Sequence, residues 1–330
     1  CIMMINITGT GRALPENIVT NFDMAKIVET SDEWIRERTG IAERRISTGD
    51  TVASLSAKAC ELALEMAGKK AEDVDLIIVA TCSPEMLLPC AACQVQGIIG
   101  AKNAVAFDLN AACSGFLFGL STVYGYLQTG LYRNALVVGA EVLSKIIDWT
   151  DRSTCVLFGD GAGAAFVEAV EENGENAGII SISQGSDGAR GMVLSCQERK
   201  LDNPYIEDAI GEENNFVHMD GQEVYKFAVK QVPLCIQDAL NRAGLTVEDI
   251  DHFVLHQANV RILEAVAKRL KADITKFPMN LNRVGNMSSA TIPVLLDELN
   301  REGKLKKGDK IVLSGFGAGL TYGACVMIWN

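Results

Sequence analysis

The sequence predicts an α/β protein made of two copies of one unit, and three observations carry that prediction. Residues 63–80 (ALEMAGKKAEDVDLIIVA) return in altered form at 239–256 (ALNRAGLTVEDIDHFVLH), an offset of 176 positions that sets Ala67-Gly68 on Ala243-Gly244 and Glu72-Asp73 on Glu248-Asp249. The same offset lays 135–139 (ALVVG) on 311–315 (IVLSG) and Asn110 on Asn286. In each copy a helix closed by glycine leads through a short turn into an apolar run, 76–80 and 253–255, with no polar alternation. Runs of that kind are strands buried on both faces, so the chain should form two sheets with helices packed between and outside them.

Each element then has its reason. The first half should cover residues 1–175 and the second 176–330, divided at the acidic, glycine-containing stretch 171–178. The polar stretch 197–215, with Pro204 and many charges, reads as a surface excursion. A length of 330 residues is ample for two cores. With 48% hydrophobic and 22% charged residues the chain is not a disordered one. A net charge of −12 argues against a nucleic-acid partner. No apolar run reaches the roughly 18–20 residues of a membrane span, and the N-terminus lacks the layout of a signal peptide. Ten cysteines, several inside apolar segments (Cys60, Cys235, Cys325), fit buried thiols in a reducing, cytoplasmic setting. Cys90 and Cys93 form a lone CxxC, read as a packing or interface pair.

The chemistry concentrates in three places. In Ala106-Phe107-Asp108-Leu109-Asn110-Ala111-Ala112-Cys113-Ser114-Gly115-Phe116 a strand ends, small residues turn the chain, and an apolar period opens a helix. Cys113 therefore falls at a helix N-terminus, where free N–H groups and the dipole favour thiolate. His256 ends the buried strand of the second half, at the edge where α/β folds gather their sites. It could equally be a satisfied core histidine; His252 and His218 are placed less well. Asn286 lies in the turn Val284-Gly285-Asn286-Met287-Ser288-Ser289-Ala290 and on its own would read as a helix cap. Its equivalence to Asn110, three residues before Cys113, brings it toward the nucleophile across the axis relating the halves. The three side chains should meet at the base of one tunnel. The Gly159-Asp160-Gly161-Ala162-Gly163 run lacks the Lys-Ser or Lys-Thr of a phosphate loop and leads into an apolar strand, so it reads as a tight turn.

The strings AACSGF at Cys113, HQAN at His256 and GNMSSATIP at Asn286 resemble the β-ketoacyl-acyl-carrier-protein synthase III family, as do SDEWIRERTGI, AACQVQ, DRSTCVLFGDGAGA and FGAGLTYG elsewhere. The resemblance implies a five-layered αβαβα thiolase-like fold, a homodimer, and decarboxylative condensation of an acyl-CoA with malonyl-acyl carrier protein. It implies that Cys113 becomes acylated, and that His256 and Asn286 donate hydrogen bonds to the malonyl thioester carbonyl. The backbone N–H groups of Cys113 and Ala318 would form the oxyanion hole. Trp34, Arg38 and Arg152 would hold CoA, and Leu88 would end the acyl pocket, where several relatives carry Phe. Lys226, Arg261, Lys268 and Arg269, with Lys271, would steer an acidic carrier protein, although a solvated helix face explains them too. No metal or redox cofactor is implied.

Two departures stand out. Gly317-Ala318-Gly319 replaces the commoner triple glycine, and Leu88 is smaller than Phe, which would admit longer or branched primers. Three other readings remain: a relative that transfers acyl groups or builds a specialised ketide with the same trio, a cysteine hydrolase with the order Cys, His, Asn, and a non-catalytic partner subunit. The last would be expected to lose Cys113; the hydrolase would need a local signature that is absent.

Overall fold

A computed structural model describes residues 3–171, 177–211 and 215–330. The strands used below are β1 (Met3–Ala13), β2 (Leu76–Ala80), β3 (Val105–Leu109), β4 (Asn134–Glu141), β5 (Gly161–Glu171), β6 (Gly178–Ser186), β7 (His252–Leu255), β8 (Lys310–Gly317) and β9 (Thr321–Ile328). They form a five-stranded sheet in the order β1-β5-β4-β2-β3 and a four-stranded sheet in the order β7-β8-β9-β6. The helices are α1 (Asp32–Thr39), α2 (Val52–Ala67), α3 (Ala91–Ile99), α4 (Gly115–Gln128), α5 (Gly221–Ala243), α6 (Val260–Leu270) and α7 (Thr291–Arg301).

Strand side chains alternate between separate cores, which is what layers the molecule. Ile77, Val79, Leu136 and Val138 face α2 and α3 on one outer side. Leu76, Ile78 and Val137 point the other way, into a central core with Phe116 and Leu120 of α4, Ile292 and Leu296 of α7, and Val254 and Leu313 of the second sheet. Phe253, Leu255 and Val312 face α5 and α6 on the far side. Helices, sheet, helices, sheet, helices: the five layers follow from this burial pattern.

The repeat survives in atomic register. Val79 pairs with Val138 in parallel, and Leu255, 176 positions on, pairs with Ser314 in the same way. Helices α2 and α5 both end on left-handed glycines, Gly68 and Gly244. One difference is informative. The counterpart of edge strand β3 is a short helix, Leu281–Val284, because Leu281 and Val284 are spaced for a helical turn and both are buried. The proposed division between halves at residue 175 lies outside the described residues. The described part of 197–215 is mostly exposed, as its polarity predicts.

Candidate active site

Two equivalent turns meet at the centre of the molecule. One 3₁₀ turn, Ala112–Ser114, feeds α4; the other, Ser288–Ala290, feeds α7. Each opens on a residue in the left-handed region, Ala112 at φ 47° and Ser288 at φ 51°. Such a conformation in a non-glycine residue costs about 1 kcal/mol or more and persists where surrounding packing imposes it. Here the turns pack on each other across the pseudo-two-fold axis, close enough that a β-carbon on Gly115 would lie 3.4 Å from Ser289 Cβ.

Cys113, His256 and Asn286 are all nearly enclosed, with 8%, 2% and 8% exposure. A β-carbon placed on Gly315 would stand 3.1 Å from His256 Cβ and 3.7 Å from the Cys113 carbonyl oxygen, so nucleophile and imidazole share one wall. Asn286 reaches His256 through Thr291. The Ser288 N–H donates to Asn286 Oδ1 (2.8 Å), the Thr291 hydroxyl lies 3.2 Å from the Ser288 carbonyl, and the same hydroxyl lies 2.6 Å from His256 Nδ1. The short contact fixes the ring, with Nδ1 bonded to the Thr291 hydroxyl and Nε2 left as its other polar end. Oδ1 being occupied, the Asn286 NH₂ is the free end. The three residues thus offer a thiol, a neutral imidazole and a carboxamide whose NH₂ end is free.

The electrostatics correct one expectation. Burial pushes the Cys113 thiol up to about 12, despite its place at a helix N-terminus, and the Ser288 side chain and Cys113's own N–H oppose that rise. Ser288 acts here by proximity, because its hydroxyl has no partner at hydrogen-bond geometry among the described residues. At neutral pH the Cys113 side chain is a thiol. The helix end was visible in the sequence; the enclosure that outweighs it was not.

Burial also lowers His256 to about 3, so the ring is neutral across the working range. The sign for stability follows. A histidine whose folded pKa lies below its unfolded value of about 6.5 destabilises the fold as pH drops through 6.5, since only the unfolded chain takes the proton. Between pH 7 and pH 5, His256 should remove roughly 2 kcal/mol of stability. Urea unfolding at both pH values should show a smaller acid loss in His256→Gln than in the parent chain, and an equal loss in both would refute the assignment.

Gly317 shows why the site needs a missing side chain. A β-carbon there would sit 2.6 Å from the Cys113 nitrogen and 2.9 Å from its Cβ. The next residue, Ala318, is tied back to the nucleophile's neighbourhood by Thr321, whose hydroxyl lies 3.1 Å from both the Ala318 and Ala111 carbonyls. The glycine run at 159–163 has a packing reason beyond a turn. Its strand runs under the Asn286 turn, with the Gly159 N–H donating to the Asn286 carbonyl (2.9 Å) and a Gly163 β-carbon only 2.6 Å from Val294 N.

The other predicted residues lie in three places. Trp34 on α1 is flanked by two cations, with Arg38 Cζ 4.4 Å and Arg152 Cζ 5.2 Å from its ring centroid. Arg261 opens α6 and donates to the Glu37 carbonyl beside this cluster (3.1 Å), while Lys268, Arg269 and Lys271 line the exposed side of the same helix and its cap. Lys226, on α5, is paired with Glu223 at 2.8 Å, and that carboxylate also takes Arg190 at 3.1 Å, so its charge is partly spent. Leu88 does not behave as a pocket wall within one chain: it is 86% exposed, next to Met86 and Leu87 at 50% and 68%. After the loop, the Asp108 carboxylate pins the start of the following helix, accepting from the N–H groups of Ala91 and Ala92. Cys90 caps that helix and the Cys93 thiol points to the Ala106 carbonyl at 3.4 Å. A surface hollow of about 340 Å³ bounded by Arg12, Leu14, Leu62, Asp297 and Arg301 contains none of these residues. Among the described residues no group of three or more His, Cys, Asp or Glu is arranged to hold a metal ion.

Comparison with known proteins agrees with the geometry. Residues 107–188 match the family model described as 3-oxoacyl-[acyl-carrier-protein (ACP)] synthase III, and residues 240–329 match the model for its C-terminal part. The β-ketoacyl-[acyl-carrier-protein] synthase III of Clostridium acetobutylicum is 52% identical over 326 residues, 99% of both chains. The crystal structure of 3-oxoacyl-[acyl-carrier-protein] synthase III from Aquifex aeolicus VF5 superposes with a TM-score of 0.91 at 40% identity, covering 98% of this chain and 100% of that one. The priming β-ketosynthase from the R1128 polyketide biosynthetic pathway gives 0.89 at 34% identity, covering 100% and 97%. The chain belongs to the 3-oxoacyl-[acyl-carrier-protein] synthase III family.

Placing it in the synthase III family does not by itself assign side chains. Within this synthase III chain, sequence reasoning singled out Cys113, His256 and Asn286 but missed Thr291, which is hydrogen-bonded to the imidazole, and the buried pair Glu141 and Ser289 beside it. Thr291 had a faint signal, five residues past Asn286 in the same turn. Glu141 had none, because a carboxylate ending an apolar strand looks like any strand end. Among the described residues no helix is long and apolar enough to cross a membrane.

Proposed function

We propose that this protein catalyses the decarboxylative condensation of an acyl-CoA primer with malonyl-acyl carrier protein, giving a 3-oxoacyl-acyl carrier protein and starting fatty acid synthesis. The observation that supports the reading best is the meeting of three groups on packed neighbouring turns and strands: a buried thiol, a neutral imidazole fixed by Thr291, and a carboxamide whose oxygen is held so that its NH₂ is free. The Cys113 sulfur attacks the primer thioester, and its proton leaves with the CoA thiol, which suits a nucleophile that rests protonated. Malonyl thioester then loses carbon dioxide; the electron pair passes to the thioester oxygen, where His256 Nε2–H and the Asn286 NH₂ bind it. The resulting enolate carbon attacks the acyl carbon on Cys113. The N–H groups of Cys113 and Ala318 would hold the oxyanion, and collapse returns the thiol after protonation.

Neutral donors fit an enolate that exists only in passing, because a permanent cation would hold the malonyl carboxylate instead of releasing it. Two arginines around Trp34 make a handle suited to the nucleotide end of CoA. The cations of α6 offer an acidic carrier protein a landing edge on an otherwise acidic molecule. The scheme calls for no metal or redox cofactor, no nucleic acid and no membrane, and it suits a cytoplasmic enzyme. The exposed apolar loop 86–88 suits contact with a second copy, which would bring Leu88 to an acyl pocket; sedimentation at twice the 35.5 kDa chain mass would support that homodimer.

The deciding experiment incubates the protein with acetyl-, isobutyryl- and hexanoyl-CoA and weighs the peptide carrying Cys113. Acyl mass on that peptide, discharged by malonyl-acyl carrier protein to a 3-oxoacyl product, is the expected result. Acylation without such a product, or discharge only to malonyl-CoA, would instead favour an acyltransferase or ketide synthase.

A further inference from the structure

By the 176-residue offset, the counterpart of Cys113 is Ser289, that of His256 is Ala80 and that of Gly317 is Glu141. The first half thus holds a second copy of the active-site geometry, and where Gly317 leaves space over Cys113 the copy is filled by the Glu141 side chain. Glu141 is 0% exposed. Its Oε2 accepts from the Ser83 hydroxyl (2.7 Å) and the Cys82 thiol (3.0 Å), and its Oε1 accepts from the Cys82 N–H (3.0 Å).

The Ser289 hydroxyl lies 2.8 Å from Glu141 Oε1 and also 2.8 Å from the Ala80 carbonyl. One hydroxyl proton cannot serve two acceptors at full strength, and the carbonyl can only accept. A proton on Oε1 resolves the count: Oε1–H donates to Ser289 Oγ, and Ser289 donates to Ala80. The Ser83 oxygen in turn accepts from the Val142 N–H (3.0 Å), so every group in the network is satisfied.

We propose that Glu141 is a positioning residue, a neutral buried carboxylic acid that plugs the degenerate copy of the site and clamps the 286–291 turn, and with it Asn286 and Thr291, against Cys113. Ser289 is the link, lying between those two residues and bound on its far side to the first sheet. The titratable groups facing Glu141 are Cys82 from the loop after β2, Cys113 from the opposing turn, and Lys145 from beyond β4, whose ammonium is held by the Pro84 carbonyl. None forms an ion pair with it, and burial raises its pKa, which agrees with a retained proton. A neutral acid also spares the nucleophile a fixed negative neighbour.

The inference rests on the condensation reading above, and the parent protein's own turnover serves as the control for that reading. The test compares Glu141→Gln, Glu141→Asp and Glu141→Ala for condensation per folded molecule, with the pH profile of Cys113 alkylation by iodoacetamide as a readout independent of turnover. Gln can donate to Ser289 without charge and should keep kcat within about threefold, whereas Asp and Ala should lose at least about tenfold in kcat with the KM for acyl-CoA unchanged. The alkylation midpoint should be the same in Glu141→Gln and the parent. Any of three results would overturn the proposal: Gln as impaired as Ala, an alkylation midpoint that moves to lower pH in Gln, or a folded Ala variant with full kcat. A parent protein that fails to condense would defeat the functional reading instead, leaving the alkylation comparison to decide the protonation state by itself.

Discussion

Cys113→Ala should abolish the acyl-enzyme and lower condensation by about 10³-fold or more, because the covalent route has no substitute nucleophile at that point. Cys82, the other thiol bordering the site through Glu141, is raised well above the ordinary thiol range by its burial. The side-chain change is small: Cys113 lies under Gly317, and removing one sulfur from an 8% exposed position should leave the fold intact. The donors at His256 and Asn286 do not depend on the sulfur. Slow loss of carbon dioxide from malonyl-acyl carrier protein should therefore persist in this variant, measured as acetyl-acyl carrier protein by mass. If condensation continued above about one hundredth of the parent rate, the role given to Cys113 would be wrong.

The second large effect concerns the donors. His256→Ala and Asn286→Ala should each cost about 10²–10³-fold in decarboxylation, the usual scale for removing one preorganised donor from a developing oxyanion. Both should still accept an acyl group on Cys113, since neither is needed to break the primer thioester. Mass spectrometry of the acylated peptide alongside a carbon dioxide assay separates the two steps. Loss of acylation with decarboxylation intact would reverse the assignment.

Much of this was legible before any coordinates. The offset of 176 places Gly68 on Gly244 and the two central parallel pairs in the same register, so the repeat in letters is a repeat in atoms. Unbroken apolar strands announced burial on both faces, and the two turns drew attention to Cys113 and Asn286, whose turns the fold packs against each other. Properties that need three dimensions were hidden. Enclosure makes Cys113 a resting thiol although its helix position argued for a thiolate. The neutrality of His256 comes from burial with no counter-charge, which no local string encodes. Trp34 would pass for a core residue without its family, since Arg38 is four residues away but Arg152 is far along the chain. Leu88 could be located in the sequence but not in a pocket, because one chain alone leaves it in solvent.

A single hydroxyl, that of Thr291, touches the imidazole on one side and the backbone of the amide's turn on the other. The two donors are consequently yoked: anything that rotates this threonine swings the ring and slackens the turn together. Adjusting the imidazole or the amide alone is thereby foreclosed, and variation is left to the walls around them.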